Sequence, residues 1–469
     1  MVATVGGGLC QLSNALHLAA LEAGMEITER HAHSKVVPGS IAATGKDATV
    51  FWNYKDLRFR ASTAFVVHAR LSATHLIVRL CAAPTAHNPS KPDAGIDAPA
   101  LEEAEDCVTC QHHGCVYHPG VATGTERTAL LLDECWHEFD TWHAAQHLTD
   151  RDIALVPLDG VRRKRVAYAW FRQAGPRPEI REHPGLVLQR SWKSRRLKAQ
   201  GAARQKALLA FDLALARAYA RQVPYDCQRL VVSLNLLPHL FASGISGGRH
   251  VTVFLNRSPL FLLHRQLDLA ASLYPDSATI ADFRADESLV EHEYAALARA
   301  DRLVTPHAWV AEQLRREGFD RVELLPWAAG EQRPHQPGLT LLFPASGLAR
   351  KGAYEVRELC RKLDLPLTIL GRATEGERFW EGLRVSFAQK GPTLFRDIAC
   401  VVLPAHVEHQ PRVLLSALRS GVPVVCSFNC GVPADTPGVG FVPAGAVDAL
   451  RSRVETLLAK SPVNTVATT

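Results

Sequence analysis

The stretch from Thr393 to Pro433 constrains the fold more than any other part of the chain. It reads TLFRDIACVVLPAHVEHQPRVLLSALRSGVPVVCSFNCGVP. A short apolar run, Ala399 to Leu403, stops at Pro404, and a polar loop carrying Glu408 follows. Val413, Leu414, Ala417 and Leu418 then recur at helical spacing until Gly421, and Val422 to Cys426 starts a second apolar run. Period-two and period-3.6 patterns separated by a glycine stop predict strand, loop, helix, strand, a βαβ unit. Such units build parallel sheets with right-handed crossovers, and ligands lie beyond the carboxyl ends of the strands. The loop around Glu408 is therefore a ligand-facing loop. The helix predicted from about Gln410 points its N-terminus, with its unpaired N–H groups, at any bound anion.

The same alternation extends upstream. Strands are predicted at Leu130–Leu132, Asp152–Pro157, Arg229–Ser233 and His250–Leu255, and again in LTLLFPA and LPLTILG. Helices are predicted over Ala202–Arg221 and Ser288–Arg299. At 469 residues with 47% hydrophobic content, the chain is long enough for two or three domains with large cores. The fold class is α/β: two Rossmann-like domains preceded by a small α+β module and a Cys-rich knuckle. The expected boundaries are 1–81 for the module, 82–127 for a linker with the knuckle, 128–335 for the first large domain and 336–469 for the second. The net charge of +6 is mild for this size and does not by itself argue for nucleic acid, which is not expected as a partner.

The run LLSALRSGVPVV, preceded by Glu408, resembles the donor-binding stretch of two-domain (GT-B fold) glycosyltransferases of the group 1 type. In that family "LL-E-AL-x-x-G-x-PVV" follows a loop acid. The resemblance implies transfer of a sugar from a nucleoside diphosphate to a carbohydrate, lipid or cell-envelope acceptor. It implies a nucleotide sugar as co-substrate and no catalytic metal. Glu408 is then expected on the donor sugar, with Arg350 and Lys351 in SGLARKG on the diphosphate. Gly371 and Gly431 allow close backbone approach. The family's second acid, which holds the ribose, falls on Ser416, and its arginine falls on Ser346. EHEYAALARADRLVTPHAWVAEQL resembles the family's segment at the end of the first domain, with His307 where a serine is common. His239, Asp282 and His307 are the candidate catalytic groups on the acceptor side, each weighed against a capping or core role. Arg249 in SGGRHV and Arg284 in ADFRADES are candidate phosphate contacts.

At the other end, GGGLCQLSN, ERHAHS and GKDATVFWNYKDLRFR are similar to the VanW family, over about Gly6 to Arg60. Only the second half of the family pattern stands here, so residues are expected to be missing upstream. Cys10 falls near a helix N-terminus, where the dipole lowers a thiol pKa. Cys10 with His31 or His33 and Asp47 makes a candidate hydrolase or transferase set. The competing reading is a buried thiol with structural histidines.

DCVTCQHHGCVYH places Cys107, Cys110, Cys115 and His118 at spacings that suit a structural zinc. An Fe–S cluster completed by Cys81 or Cys135, or plain reduced thiols, are the alternatives. Eleven cysteines without a secreted-scaffold spacing, and no apolar run of bilayer length, lead to the expectation of a cytoplasmic protein. The basic stretch Arg190 to Lys206 reads either as a solvated helix face or as a contact for a phosphate-bearing acceptor or an anionic membrane surface. A degenerate, non-catalytic transferase acting as a binding module is the remaining alternative, because of Ser416.

Overall fold

The computed structural model describes residues 8–32, 44–50, 56–71, 75–82, 127–146, 148–172, 177–197, 201–224, 227–247, 249–371 and 375–459. They divide between two compact units, Met1–Glu126 with Gly244–His250, and Arg127–Ser243 with Val251–Thr469.

In the first unit, helix α1 (Gly8–Glu22) leads into β1 (Glu26–Glu29), which pairs antiparallel with β2 (Arg58–Arg60). Strands β3 (Phe65–Leu71) and β4 (Leu76–Ala82) form an antiparallel hairpin. The polar residues on the buried side of α1 have partners in the chain that returns past them. Ser13 Oγ donates to the Ala48 carbonyl at 2.6 Å, and the Ala48 amide donates to Asn14 Oδ1 at 2.7 Å. His17 Nδ1 lies 3.0 Å from the Lys46 carbonyl. These bonds satisfy polar groups that would otherwise be buried without partners.

The second unit holds two parallel sheets. The first contains β5 (Thr128–Leu131), β6 (Ile153–Val156), β7 (Glu179–Glu182), β8 (Arg229–Ser233), β9 (His250–Phe254), β10 (Arg302–Thr305) and β11 (Val322–Leu324). Their order is β11-β10-β9-β8-β5-β6-β7. The second contains β12 (Gln336–Phe343), β13 (Leu367–Leu370), β14 (Val385–Ala388), β15 (Arg396–Leu403), β16 (Val424–Ser427) and β17 (Val439–Val442), in the order β14-β13-β12-β15-β16-β17. Strands such as Ile153–Val156 and Val424–Ser427 are buried at every residue, because helices cover both faces of a parallel sheet. The helices of this unit are α2 (His137–Ala144), α3 (Pro184–Arg195), α4 (Ala202–Ala220), α5 (Leu237–Ala242), α6 (Leu260–Leu273), α7 (Glu287–Ala298), α8 (Ala308–Arg316), α9 (Ala353–Leu363), α10 (Arg412–Arg419) and α11 (Val447–Ala459).

In both sheets the strand order reverses once, between β5 and β8 and between β12 and β15. The loops leaving the two strands at such a point diverge to opposite faces and open a crevice at the carboxyl ends. The loop with Arg350 and Lys351 leaves β12, and the loop with Glu408 leaves β15. Topology alone therefore brings these sequence-predicted residues together.

One local expectation is corrected. The basic stretch Arg190 to Lys206 is not one helix face, since α3 ends at Arg195 and α4 starts at Ala202, after Gly201 at φ +121°. The expected boundary at 335/336 coincides with the start of β12 at Gln336.

Candidate functional site

Two loops meet at the reversal point of the second sheet. Gly352, at φ +87°, lets them touch: a Cβ there would lie 2.6 Å from the Pro404 carbonyl oxygen. The Val407 amide donates to the Arg350 carbonyl at 3.0 Å. Lys351 Nζ then reaches Glu408 Oε2 at 2.9 Å, and these side chains are only 11% and 14% exposed. Glu408 Oε1 accepts the amides of His409 at 2.8 Å and Gln410 at 3.0 Å. Burial pushes the Glu408 carboxyl up, but the Lys351 charge and these amide donors outweigh it and hold it near about 2. Burial lowers the Lys351 ammonium, against the pull of Glu408.

Arg350 is different. Its guanidinium lies over the Phe283 ring at 4.0 Å, its buried Nε has no hydrogen-bond partner, and it enters no ion pair among the described residues. Burial pulls its pKa down to about 10. The Glu408 carboxylate, already paired with Lys351, works against that burial and helps keep Arg350 charged. On the other side, Glu375 Oε1 accepts the Ala349 amide at 2.6 Å and the Thr279 hydroxyl, and Oε2 accepts Ser277 Oγ at 2.7 Å. Gly371, at φ +125°, turns toward Ser346, whose Oγ would lie 2.9 Å from an added Cβ.

His307 sits at the N-cap of α8, where Nδ1 accepts the Val310 amide at 3.3 Å. That fixes the tautomer, so Nε2–H donates to the Glu408 carbonyl at 2.9 Å. The ring is 3% exposed, and burial takes its pKa to about 4. Both nitrogens are committed, so the geometry here is that of a cap and not of a base awaiting a proton. Gly431 packs against that ring, with a Cβ position 2.3 Å from Nδ1, so the close approach made there is to His307. Ser416 lies in α10 with its amide 2.3 Å from the Cβ position of Gly330.

The reversal point of the first sheet carries a buried polar cluster that sequence reasoning missed. Asp133, just past β5, receives the side-chain amides of Asn235 at 2.7 Å and Asn256 at 2.8 Å. Its own amide donates to Ser233 Oγ at 3.1 Å. Asp212 of α4 lies half-buried nearby. Burial, then the Asp133 charge, push its pKa up to about 8, with Arg190 pulling the other way. One three-residue segment joins this cluster to the Glu408 loop. Asn256 binds Asp133, Arg257 donates to Asn235 Oδ1 at 2.6 Å, and the Ser258 amide donates to His409 Nδ1 at 3.3 Å. The only available sequence signal was an acid placed directly after an apolar strand.

The Asp212 shift sets a pH dependence. Its folded pKa lies above the unfolded value, so folding holds an extra proton between about pH 4 and the folded value of about 8. Stability is then greatest at the acid end and falls as pH rises through that window. In urea unfolding, Asp212→Asn should gain on the parent from pH 5 to pH 8 (on the order of those limits). Parallel profiles for the two proteins would remove this account.

The other sequence candidates are placed as follows. His239 of α5 is half-buried, and burial followed by Arg217 and Arg257 lowers its pKa. Asp282 lies in a short turn with Oδ2 3.8 Å from the Cβ position of Gly201. Arg284 pairs with Asp268 at 2.6 Å on the surface. Arg249 belongs to the first unit and donates to the Ile245 carbonyl at 2.6 Å. Cys10 lies in the first turn of α1. Asp47, expected beside a histidine, receives Arg30 at 2.9 Å, while His31 Nε2 lies 3.1 Å from Glu29. His33, Cys107, Cys110, Cys115 and His118 lie outside the described residues. Among the described residues no group of three or more His, Cys, Asp or Glu could hold a metal ion, and no helix is long and apolar enough to cross a membrane.

Residues 1–81 match the family model described as VanW like protein. The N-terminal module is VanW-like. Uncharacterized protein YoaR of Bacillus subtilis (strain 168) is 45% identical over 56 residues, 12% of this chain and 18% of that one. The chain thus spans less than a fifth of this relative's length. Among solved structures, the sucrose-phosphate synthase of Thermosynechococcus elongatus is similar at 14% identity, covering 72% of this chain and 90% of that one, TM-score 0.46. WaaG, a glycosyltransferase involved in lipopolysaccharide biosynthesis, is similar at 14% identity, 72% and 92% coverage, TM-score 0.44. Anabaena HepE in complex with UDP is similar at 12% identity, 72% and 91% coverage, TM-score 0.43.

Proposed function

We propose that the larger unit transfers a sugar from a nucleoside diphosphate to a hydroxyl of a carbohydrate or lipid acceptor. The observation that carries this reading is Arg350, a buried cation with no ion-pair partner among the described residues, beside Lys351 at the reversal point of a parallel sheet. When the bond from the sugar C1 to the diphosphate oxygen breaks, negative charge grows on the leaving group. Arg350, Lys351 and the amides entering α10 are fixed positive groups that stabilise it, which supports the metal-independent form of the reaction. Glu408 holds the donor sugar once the diphosphate takes over Lys351. The acceptor approaches the reversal point of the first sheet, where the Asp133 and Asp212 carboxyl groups handle the proton of its attacking hydroxyl. His239 and Asp282 remain acceptor-side candidates.

A non-catalytic reading is favoured by one observation, the serine at position 416 where the resembled family has a ribose-binding acid. The test is the thermal midpoint with UDP, GDP, ADP, dTDP and CMP in turn. Ligand at about 100 times its dissociation constant stabilises by about 2.7 kcal/mol. One nucleotide should raise the midpoint, and Arg350→Ala, Lys351→Ala and Glu408→Ala should each abolish the rise. No response to any nucleotide would refute the donor site. A response without turnover of the matching nucleotide sugar would favour the binding module.

A further inference from the structure

Helix α3 presents its apolar residues to solvent. Leu188 is 71% exposed and Trp192, one turn on, is 55% exposed, while Leu186, Val187, Ser191 and Ser194 are half-buried beneath. Arg190 is drawn inward, its guanidinium 4.9 Å from the Phe211 ring centroid and 3.4 Å from the Tyr168 hydroxyl. That contact sets α3 beside the loop leaving β6, where Val166 is 74% exposed. No acidic residue occurs in 160–172 or 184–197, whereas nine lysines and arginines do. Arg162 and Arg163 pair with Glu182. Lys164, Arg165, Lys193, Arg195 and Arg196 are exposed and in no ion pair among the described residues, and Arg196 lies over Trp192 at 3.6 Å.

We propose that this face docks on an anionic phospholipid surface. Leucine, valine and tryptophan are held in water by a helix and an adjoining loop, an exposed apolar face among the described residues. Ringed by cations, they match the demands of a bilayer interface: the apolar tips enter the headgroup boundary, the indole sits at its level, and the charges meet anionic headgroups. A polyanion such as nucleic acid would use the cations and leave Leu188 and Val166 idle. The inference needs no step of the proposed reaction, so either can fail alone.

Sedimentation of the full chain with vesicles of phosphatidylcholine, with and without phosphatidylglycerol, tests it. Binding is expected with phosphatidylglycerol and is weakened by salt. The pair Leu188→Glu with Trp192→Glu, and the triple Lys193→Ser, Arg195→Ser and Arg196→Ser, should each lower partitioning about tenfold or more. Circular dichroism and the thermal midpoint should stay unchanged, because all five side chains are exposed. Absence of binding to either vesicle overturns the proposal, as does equal binding to both. Binding that survives the apolar pair and is competed by duplex DNA overturns it too, as simple polyanion adsorption.

Discussion

Gly431→Ala should destabilise the larger unit by about 2–5 kcal/mol, the sum of a left-handed backbone and an overpacked contact. The backbone stands at φ +69°, and the new Cβ would lie 2.3 Å from Nδ1 of His307. Relief by moving the ring is closed off, since Nδ1 accepts the Val310 amide and Nε2–H donates to the Glu408 carbonyl. Movement of the glycine is opposed as well. Its carbonyl accepts the Ala308 amide at 3.0 Å and the Trp327 indole N–H at 2.9 Å. Gly421 supplies the control. It has φ +76° with nothing within 4 Å of a Cβ, so Gly421→Ala carries only the backbone term of about 1–2 kcal/mol. Urea midpoints of the two variants separate the effects, and equal losses would mean that the His307 contact yields freely.

What could be read in advance was whatever one segment encodes by itself. The run Arg396–Leu403, the helix Arg412–Arg419 and the strand Val424–Ser427 fall within about three residues of their predicted limits, because each carries an unbroken period and a proline or glycine stop. Glu408 was legible from its loop and Lys351 only through the GT-B resemblance, and the βαβ topology brings the two within 2.9 Å. For His307 the sequence left a catalytic and a capping reading open, because a polar residue before an amphipathic helix suits either, and the bonds to Val310 and Glu408 are those of the cap. The Asp133 cluster was invisible for a further reason. Its partners Asn235 and Asn256 lie 102 and 123 residues away, and no local period announces a contact over that distance. Outward-facing Leu188 and Trp192 inverted the usual rule, so α3 was read from its arginines alone.

Removing Arg412 should cost more than removing Glu138, although the two make one ion pair. Arg412 Nη2 donates to Glu138 Oε2 at 2.6 Å and Nη1 to Oε1, with the guanidinium 5.2 Å from the Trp327 ring centroid. The pair joins α2, beside the first sheet, to α10, which follows the Glu408 loop. The asymmetry lies in exposure: the Glu138 side chain is 1% exposed and Arg412 is 33% exposed. Arg412→Ala leaves a buried carboxylate held by backbone amides alone, those of Ala328 and of Glu138 itself, whereas Glu138→Gln leaves an arginine that can turn to water and keeps an acceptor for the Ala328 amide. Breaking a fully buried pair costs about 3–5 kcal/mol, and the partial exposure of Arg412 brings the expected loss to about 2–4 kcal/mol. Glu138→Gln should cost about 1–2 kcal/mol. The pH dependence follows with the opposite sign from Asp212. Burial raises the Glu138 pKa, but the Arg412 hydrogen bonds and charge outweigh it, so the folded value lies below the unfolded one. The pair's contribution is present above the unfolded pKa and is lost as pH falls through the folded value. Without Arg412 the buried carboxyl takes up a proton more readily in the fold, so the deficit of Arg412→Ala should shrink on acidification from about pH 7 to about pH 4. Urea unfolding of both variants at these two pH values tests the argument. A Glu138→Gln loss equal to that of Arg412→Ala, or a deficit that does not change with pH, would show that the pair is solvated in solution and does not link the two halves of this unit.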